Sequence, residues 1–208
     1  VAMFKIAKDK KSSFLFAGEK EISFVAWTTT PWTLPSNTAL AVGKKITYVK
    51  VNTYNTYNSE PITIIMAKEL LHKYFTEGIS LSEYSPGDKQ LPYKITEEYK
   101  GEQFSGINYH QLLNYAQPTD GDAFRVILAD FVTTEDGTGI VHIAPSFGAD
   151  DNLVAKQNGI GSLTLVDEQG RFTKEMDELS GQYVKEEFYN ESQEKPKYTD
   201  DVQIEINL

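Results

Sequence analysis

Residues 27–38 have the sequence WTTTPWTLPSNT, a segment that holds both tryptophans of the chain, two prolines and five threonines. Each proline fixes its own φ angle and disfavours helical geometry at the preceding residue. We therefore predict a stiff, irregular loop that cannot be a helix. Its hydroxyls and unpaired backbone N–H groups suit a small polar ligand. A turn-rich connection whose hydroxyls bind their own backbone is an equally open alternative.

The composition favours a soluble globular protein. The chain has 208 residues, and its 40% hydrophobic content is enough for a buried core. We expect a single domain over residues 1–208, excised from a longer protein. The sequence contains no apolar run of about 18 residues and no signal segment, so no membrane association is expected. Because there is no cysteine, disulfides and thiolate metal sites are excluded, and a reducing compartment is suitable.

The net charge of −10 argues against a protein that grips the nucleic-acid backbone broadly, since phosphate contacts need clustered lysine and arginine. A pocket that receives only the end of a nucleic acid, with the rest held elsewhere, is compatible with this charge. Residues 185–208 are acidic and polar, and we interpret them as a solvated connector.

The pattern of apolar residues predicts many short strands and few helices. Such a pattern favours a mostly β domain, which we expect to be a closed β-barrel with peripheral helices. One helix is predicted over residues 67–77, where Leu70, Leu71, Tyr74 and Phe75 share a face and Gly78 follows as a stop.

A second segment, residues 137–151, has the sequence GTGIVHIAPSFGADD. In a strand, His142 lies on the face opposite Val141 and Ile143. Pro145 ends that strand, and a helix is predicted over residues 149–157. Asp150 and Asp151 fall in its first turn, where the helix dipole favours carboxylates. They either stabilise the helix start alone, or one of them, beside the histidine, receives a ligand ammonium group.

Other kinds of site are poorly supported. His142 with either aspartate supplies too few ligands for a metal ion. No cysteine and no nucleophile elbow are present, which argues against covalent catalysis. The run Gly137-Thr138-Gly139 lacks the third glycine of a dinucleotide fingerprint. We expect neither a metal nor a cofactor.

Together the two segments resemble the editing domain of isoleucyl-tRNA synthetase, a connective insertion in a class I synthetase. They stand in the family's order, about a hundred residues apart. The His-Ile-Gly-His and Lys-Met-Ser-Lys-Ser signatures of the synthetic site are missing, so the chain is not expected to make aminoacyl-adenylate. The valyl and leucyl enzymes resemble each other in a Thr-Thr-Arg-Pro form of the first segment. Here Thr30 stands in place of that arginine, as in the isoleucyl form.

The resemblance implies an aminoacyl-tRNA deacylase that hydrolyses the ester of valine misattached to tRNA(Ile), and it leaves valyl-adenylate open as a second substrate. Size selection against one methylene is worth only about 1–3 kcal/mol, and the isoleucyl enzyme is the established illustration of this limit. The implied partners are the 3′ end of tRNA(Ile) and the rest of the parent synthetase, in the cytoplasm. The rival is a non-catalytic β-barrel binding module, or an inactive editing-like domain that assists tRNA binding.

The resemblance also implies residue roles. Asp151 matches the aspartate that binds the α-ammonium group, and His142 matches the histidine that shapes the side-chain sieve. The remaining matches line the pocket or belong to the same motif: Thr28, Thr29, Thr30 and Thr33 around the amino acid and terminal adenosine, with Trp27 and Asn37 as further substrate-binding residues.

Overall fold

A computed structural model of the chain describes residues 1–190. Eight strands and one α-helix, α1 (Ala149–Gln157), occur in this part of the chain, together with short 3₁₀ helices. The strands are β1 (Ala2–Lys5), β2 (Ser23–Ala26), β3 (Ala39–Val42), β4 (Thr47–Tyr54), β5 (Pro61–Ala67), β6 (Lys94–Lys100), β7 (Arg125–Leu128) and β8 (Ile140–Ile143).

The strands form two sheets. The first has five strands in the order β1-β2-β5-β4-β6, and the second has three in the order β7-β3-β8. In the first sheet β2 and β5 are parallel, whereas the other neighbours are antiparallel. Strand β3 is buried along its whole length, as expected of a central strand made only of apolar residues.

The predicted closed barrel is wrong. Closure requires the two outer strands of a sheet to pair, with tilt and stagger matched to the strand number. Within residues 1–190, β1 and β6 remain edges of the first sheet, and β7 and β8 remain edges of the second. The apolar runs indicated strands correctly, but which strands pair is decided by long-range packing. The fold is therefore one of open mixed sheets.

The predicted helix over residues 67–77 is also corrected. Ala67 ends β5, and a 3₁₀ helix follows over Lys68–Lys73. Leu70 and Leu71 are buried as their spacing predicted. A short 3₁₀ turn satisfies the same apolar pattern as a longer α-helix, so this pattern alone could not distinguish the two.

The chain divides into two compact units. The first unit consists of Val1–Trp27, Leu40–His110 and Arg125–Val141, and the second of Thr28–Ala39, Gln111–Phe124 and the described chain from His142 onward. The single-domain organisation stays a prediction. Most of the predicted connector, residues 185–208, lies outside the described residues, and its described part contains the 3₁₀ helix Glu186–Phe188. No helix in the described chain is both long and apolar enough to span a bilayer.

A buried lysine in the first unit joins the segment between β1 and β2 to the sheet. The side chain of Lys50, on β4, is 0% exposed, and its ammonium lies 2.9 Å from Glu19 Oε1 and 2.8 Å from Glu97 Oε1. It also donates to the carbonyl of Leu15 at 2.9 Å. The hydroxyl of Tyr99 donates to the second oxygen of Glu97. This Lys50 cluster satisfies all three ammonium donors in the absence of solvent.

Candidate functional site

The threonine-rich segment contains a helical stretch, although its prolines predicted that it cannot be a helix. Pro31–Ser36 is a 3₁₀ helix, so the prediction of a wholly irregular loop is wrong. Pro31 occupies the first turn, where a missing N–H costs nothing. Two i→i+3 hydrogen bonds hold this helix. Thr33 N donates to Thr30 O at 3.1 Å and Asn37 N donates to Leu34 O at 3.0 Å, so neither bond needs the nitrogen of Pro35.

Three threonine hydroxyls of the second unit form a chain of contacts. Thr28 Oγ1 lies 3.3 Å from Thr30 Oγ1, which lies 3.5 Å from Thr33 Oγ1. Thr28 Oγ1 also accepts from Thr30 N at 3.0 Å, and Thr33 Oγ1 donates to Thr30 O at 2.8 Å. Thr29 is exposed. Hydroxyls of this segment therefore do bind its own backbone, as in the turn-rich alternative, and these bonds order the hydroxyls.

His142 extends this hydroxyl chain. It lies on β8, is only 9% exposed, and places Nε2 3.2 Å from Thr33 Oγ1. Its Nδ1 has no hydrogen-bond partner among residues 1–190. Burial lowers the pKa of His142 from 6.5 to about 4, because the charged imidazolium loses its hydration. The ring is therefore neutral near neutral pH.

This depressed pKa predicts acid destabilisation. The unfolded chain binds a proton at His142 near pH 6.5 and the folded chain near pH 4, so the associated stability is complete above the unfolded pKa. It is lost as pH falls through the folded pKa. Between about pH 7 and about pH 4.5 the free energy of unfolding should fall by about 2–3 kcal/mol through this group. Urea titrations of the native chain and His142→Gln check this, and parallel pH curves would contradict it.

Asp151 is tied to the end of the strand that carries His142. It lies in the first turn of α1 after the N-cap Gly148, as predicted, and its Oδ2 accepts from Ala144 N at 2.8 Å. Burial raises its pKa; the bond from Ala144 opposes the shift and the charge of Asp150 adds to it. No lysine, arginine or histidine of the described chain pairs with this carboxylate.

Gly148 permits the approach of this carboxylate. A Cβ at position 148 would lie 3.0 Å from Asp151 Cγ and 3.1 Å from its Oδ1, which is closer than side chains normally pack. Asp150, one residue earlier on α1, is exposed. The two aspartates of the same helical turn thus have different surroundings, and only the half-buried Asp151 suits a charged ligand.

The substrate-binding roles of Asn37 and Trp27 stay predictions, and the structure gives their contacts. Asn37 is buried, and its amide donates to Ala39 O at 2.8 Å and Ile143 O at 3.5 Å, so it fastens the segment to the end of β8. Trp27 belongs to the first unit, is 41% exposed and lies over Gly137, where an added Cβ would be 3.4 Å from the indole ring.

Sequence reasoning missed Trp32. Its ring meets Phe147 edge to face at 5.2 Å, and its Nε1 is buried without a partner in the described chain. A buried donor without a partner is costly and marks a position where a ligand or water is accepted. The signal was available, because both tryptophans of the chain fall in residues 27–38.

An apolar cavity of about 180 Å³ lies in the first unit. Its walls include Met3, Val25, Ile64 and Met66, and the hydroxyl of its Thr53 already donates to Pro92 O at 2.8 Å. Its other polar side chains include Tyr54 and Tyr74, whose hydroxyls donate to Leu81 O and Gly137 O at 3.0 Å each. No group of three or more potential metal ligands occurs within residues 1–190. Apart from Trp27, the candidate site residues predicted from the sequence belong to the second unit.

No family model matches the chain, but known proteins do. An isoleucine–tRNA ligase from Cytophaga hutchinsonii is 51% identical over 94% of this chain and 18% of the relative. The chain belongs to the isoleucine–tRNA ligase family. A Bacteroides fragilis member is 55% identical over 77% of the chain and 14% of its own length. The resemblance inferred from the two segments is confirmed, and the chain spans less than a fifth of these ligases.

Two solved structures of leucyl-tRNA synthetase domains have a similar fold. The editing domain of the P. knowlesi cytosolic leucyl-tRNA synthetase superposes with a TM-score of 0.53 at 14% identity, over 73% of this chain and 59% of that one. A structure described as GlLeuRS-CP1 gives a TM-score of 0.52 at 17% identity, over 76% and 63% of the two chains. At these identities the likeness establishes the fold, which is that of an editing domain.

Proposed function

We propose that this chain is the hydrolytic editing domain that removes valine misattached to tRNA(Ile). One observation carries the proposal. The contacts from Thr28 through Thr30 and Thr33 end on the buried His142. Two residues after His142, the backbone N–H of Ala144 donates to Asp151. Neutral hydrogen-bonding groups and one half-buried anion suit a substrate that carries an ammonium group next to a polar ester.

Asp151 anchors the ammonium group in this proposal. Its burial disfavours the charged carboxylate, and no described cation compensates it. An α-ammonium group supplies the missing charge and forms a charge-assisted hydrogen bond. A fixed ammonium fixes the ester carbonyl two bonds away, which lowers the entropic cost of reaction.

The hydroxyls act on the reacting ester. Water adds to the ester carbonyl carbon, the bond to the ribose oxygen breaks, and that oxygen takes the proton, so that free valine and tRNA leave. Threonine hydroxyls and backbone N–H groups in an ordered segment stabilise the oxyanion that forms. No covalent intermediate with the protein is needed. We infer that a substrate ribose hydroxyl helps to orient the water.

His142 shapes the sieve in this proposal, since it is a bulky, buried and neutral ring. Changing His142 to alanine should open the pocket by several heavy atoms and admit the extra methylene of isoleucine. We expect the preference for Val-tRNA(Ile) over Ile-tRNA(Ile) to fall about tenfold or more. Deacylation rates on both substrates measure this, with the exposed His72→Ala as the matched control. Unchanged selectivity would argue against the sieve role.

The proposed partners are the 3′ end of tRNA(Ile) and the remainder of the parent ligase, with valyl-adenylate as a second substrate. A binding module without catalysis is the rival, and the charge of −10 makes extensive contact with the tRNA backbone unfavourable. An assay with both esters separates them. An editing domain hydrolyses the valyl ester and spares the isoleucyl ester, whereas a binding module retains the tRNA with both esters intact.

A further inference from the structure

The two ring nitrogens of His142 have different surroundings. Nε2 lies 3.2 Å from Thr33 Oγ1, whereas Nδ1 is buried and has no partner in the described chain. A neutral imidazole carries one N–H donor and one lone-pair acceptor. The chemistry that His142 offers to a ligand therefore depends on which nitrogen holds the proton.

The hydroxyl proton of Thr33 decides which nitrogen of His142 is protonated. A threonine hydroxyl has one proton, and Thr33 gives it to the carbonyl of Thr30, 2.8 Å away, which is its shorter contact. At the longer contact with His142, the Thr33 oxygen can then act only as an acceptor. The proton between them comes from Nε2, and Nδ1 is left with a lone pair.

The opposite tautomer is unfavourable. With the proton on Nδ1, the lone pair of Nε2 would face a lone pair of Thr33 Oγ1 at 3.2 Å. Nδ1 lacks a partner in the described chain in either tautomer, so the contact at Nε2 decides between them. Because a buried polar group without a partner is costly, this contact selects the tautomer with the proton on Nε2.

We propose that Thr33 is a positioning residue that holds His142 with its proton on Nε2, so that Nδ1 accepts a hydrogen bond from an O–H or N–H group of the bound ligand. The identity of that ligand rests on the proposed function. An aminoacyl-adenosine terminus offers two such donors, the α-ammonium group and a ribose hydroxyl. His142 is thereby a polar contact as well as a steric wall.

The tautomer is measured first, in the chain without ligand. Long-range proton–nitrogen correlation spectra distinguish a protonated from an unprotonated ring nitrogen, and loss of signals in His142→Asn assigns this ring among the three histidines. We expect a single tautomer with the proton on Nε2. Thr33→Val, which keeps the shape without the hydroxyl, should give a mixture, and Thr33→Ser should restore the single form. A native chain with the proton on Nδ1, or with a mixture, would overturn the proposal.

The acceptor role is measured with a stable probe, an adenosine that carries valine through an amide in place of the ester. On binding, the Nδ1 resonance should move in the direction of hydrogen bonding, and Thr33→Val should weaken binding about five- to tenfold. A probe with a hydrogen in place of the amine and a probe without the neighbouring ribose hydroxyl identify the donor. The shift of the Nδ1 resonance should vanish with the probe that lacks the donor group.

The acceptor role of Nδ1 and the editing function give different results when either is wrong. If the amide probe binds and Nδ1 does not move, the acceptor role is overturned and the editing proposal stands. If the probe does not bind, the editing proposal and the ligand half of this inference are both contradicted, whereas the tautomer result in the unliganded chain is unaffected.

Discussion

Replacing Asp151 with asparagine is expected to lower kcat/KM for deacylation of Val-tRNA(Ile) by at least about 30-fold. Loss of one member of a buried, hydrogen-bonded charge pair costs about 2–5 kcal/mol, and each 1.36 kcal/mol is about tenfold in rate. Asparagine keeps an oxygen that can accept from Ala144 N, so the bond that ties α1 to the end of β8 is retained. The expected loss is therefore one of substrate charge recognition.

The adjacent residue provides the control. Asp150→Asn removes an equal charge from the same helical turn, but this side chain is exposed. Its rate should stay within about twofold of the native chain, as for most surface substitutions. Thermal unfolding of both variants checks that the fold is kept. If Asp151→Asn deacylated as fast as Asp150→Asn, the anchor role would be wrong.

Replacing Lys50 with methionine is expected to give the largest loss of stability, about 3–5 kcal/mol, since it breaks a buried ion pair from one side. Burial alone lowers the pKa of Lys50, but its bonds to Glu97 and Glu19 raise it above the ordinary value. Its bond to Glu19 lowers the pKa of that carboxyl. Without the ammonium, two carboxylates and the carbonyl of Leu15 lose their common partner.

Lys44→Met is the matched control for this substitution. Its ammonium lies 3.9 Å from Glu102 and both side chains are more than half exposed, so its loss should cost less than about 1 kcal/mol. Urea unfolding compares the two variants, and adding Glu19→Gln and Glu97→Gln to Lys50→Met should recover part of the stability. Equal stability of the Lys44 and Lys50 variants would refute the proposed role of the cluster.

Helix α1 and its two aspartates were predictable because local signals agree there. Pro145 cannot continue a strand, Gly148 allows the turn, and carboxylates are favoured in a first helical turn. The residues at which these signals place the helix, 149–157, are those of α1. Which aspartate is half-buried was not readable from helix periodicity, because the decisive contact is with Ala144 of the preceding segment.

Long-range pairing was beyond sequence reasoning. The barrel failed because strand identity does not determine which edges meet, and the parallel pair β2 and β5 joins strands far apart in the chain. The burial of Lys50 was equally hidden, since lysines are usually exposed and its partners Glu19 and Glu97 are distant in sequence. The contact of Thr33 with His142 spans 109 positions. Only the family resemblance brought those two residues together before the structure did.

The most direct test is the rate at which the 208-residue chain releases valine from Val-tRNA(Ile), with the chain in excess over the tRNA. We expect release at least about tenfold faster than in buffer, and a rate close to that of buffer for Asp151→Asn. Release by the native chain at the buffer rate, under conditions where the full-length ligase edits, would contradict a self-sufficient hydrolytic site in this domain.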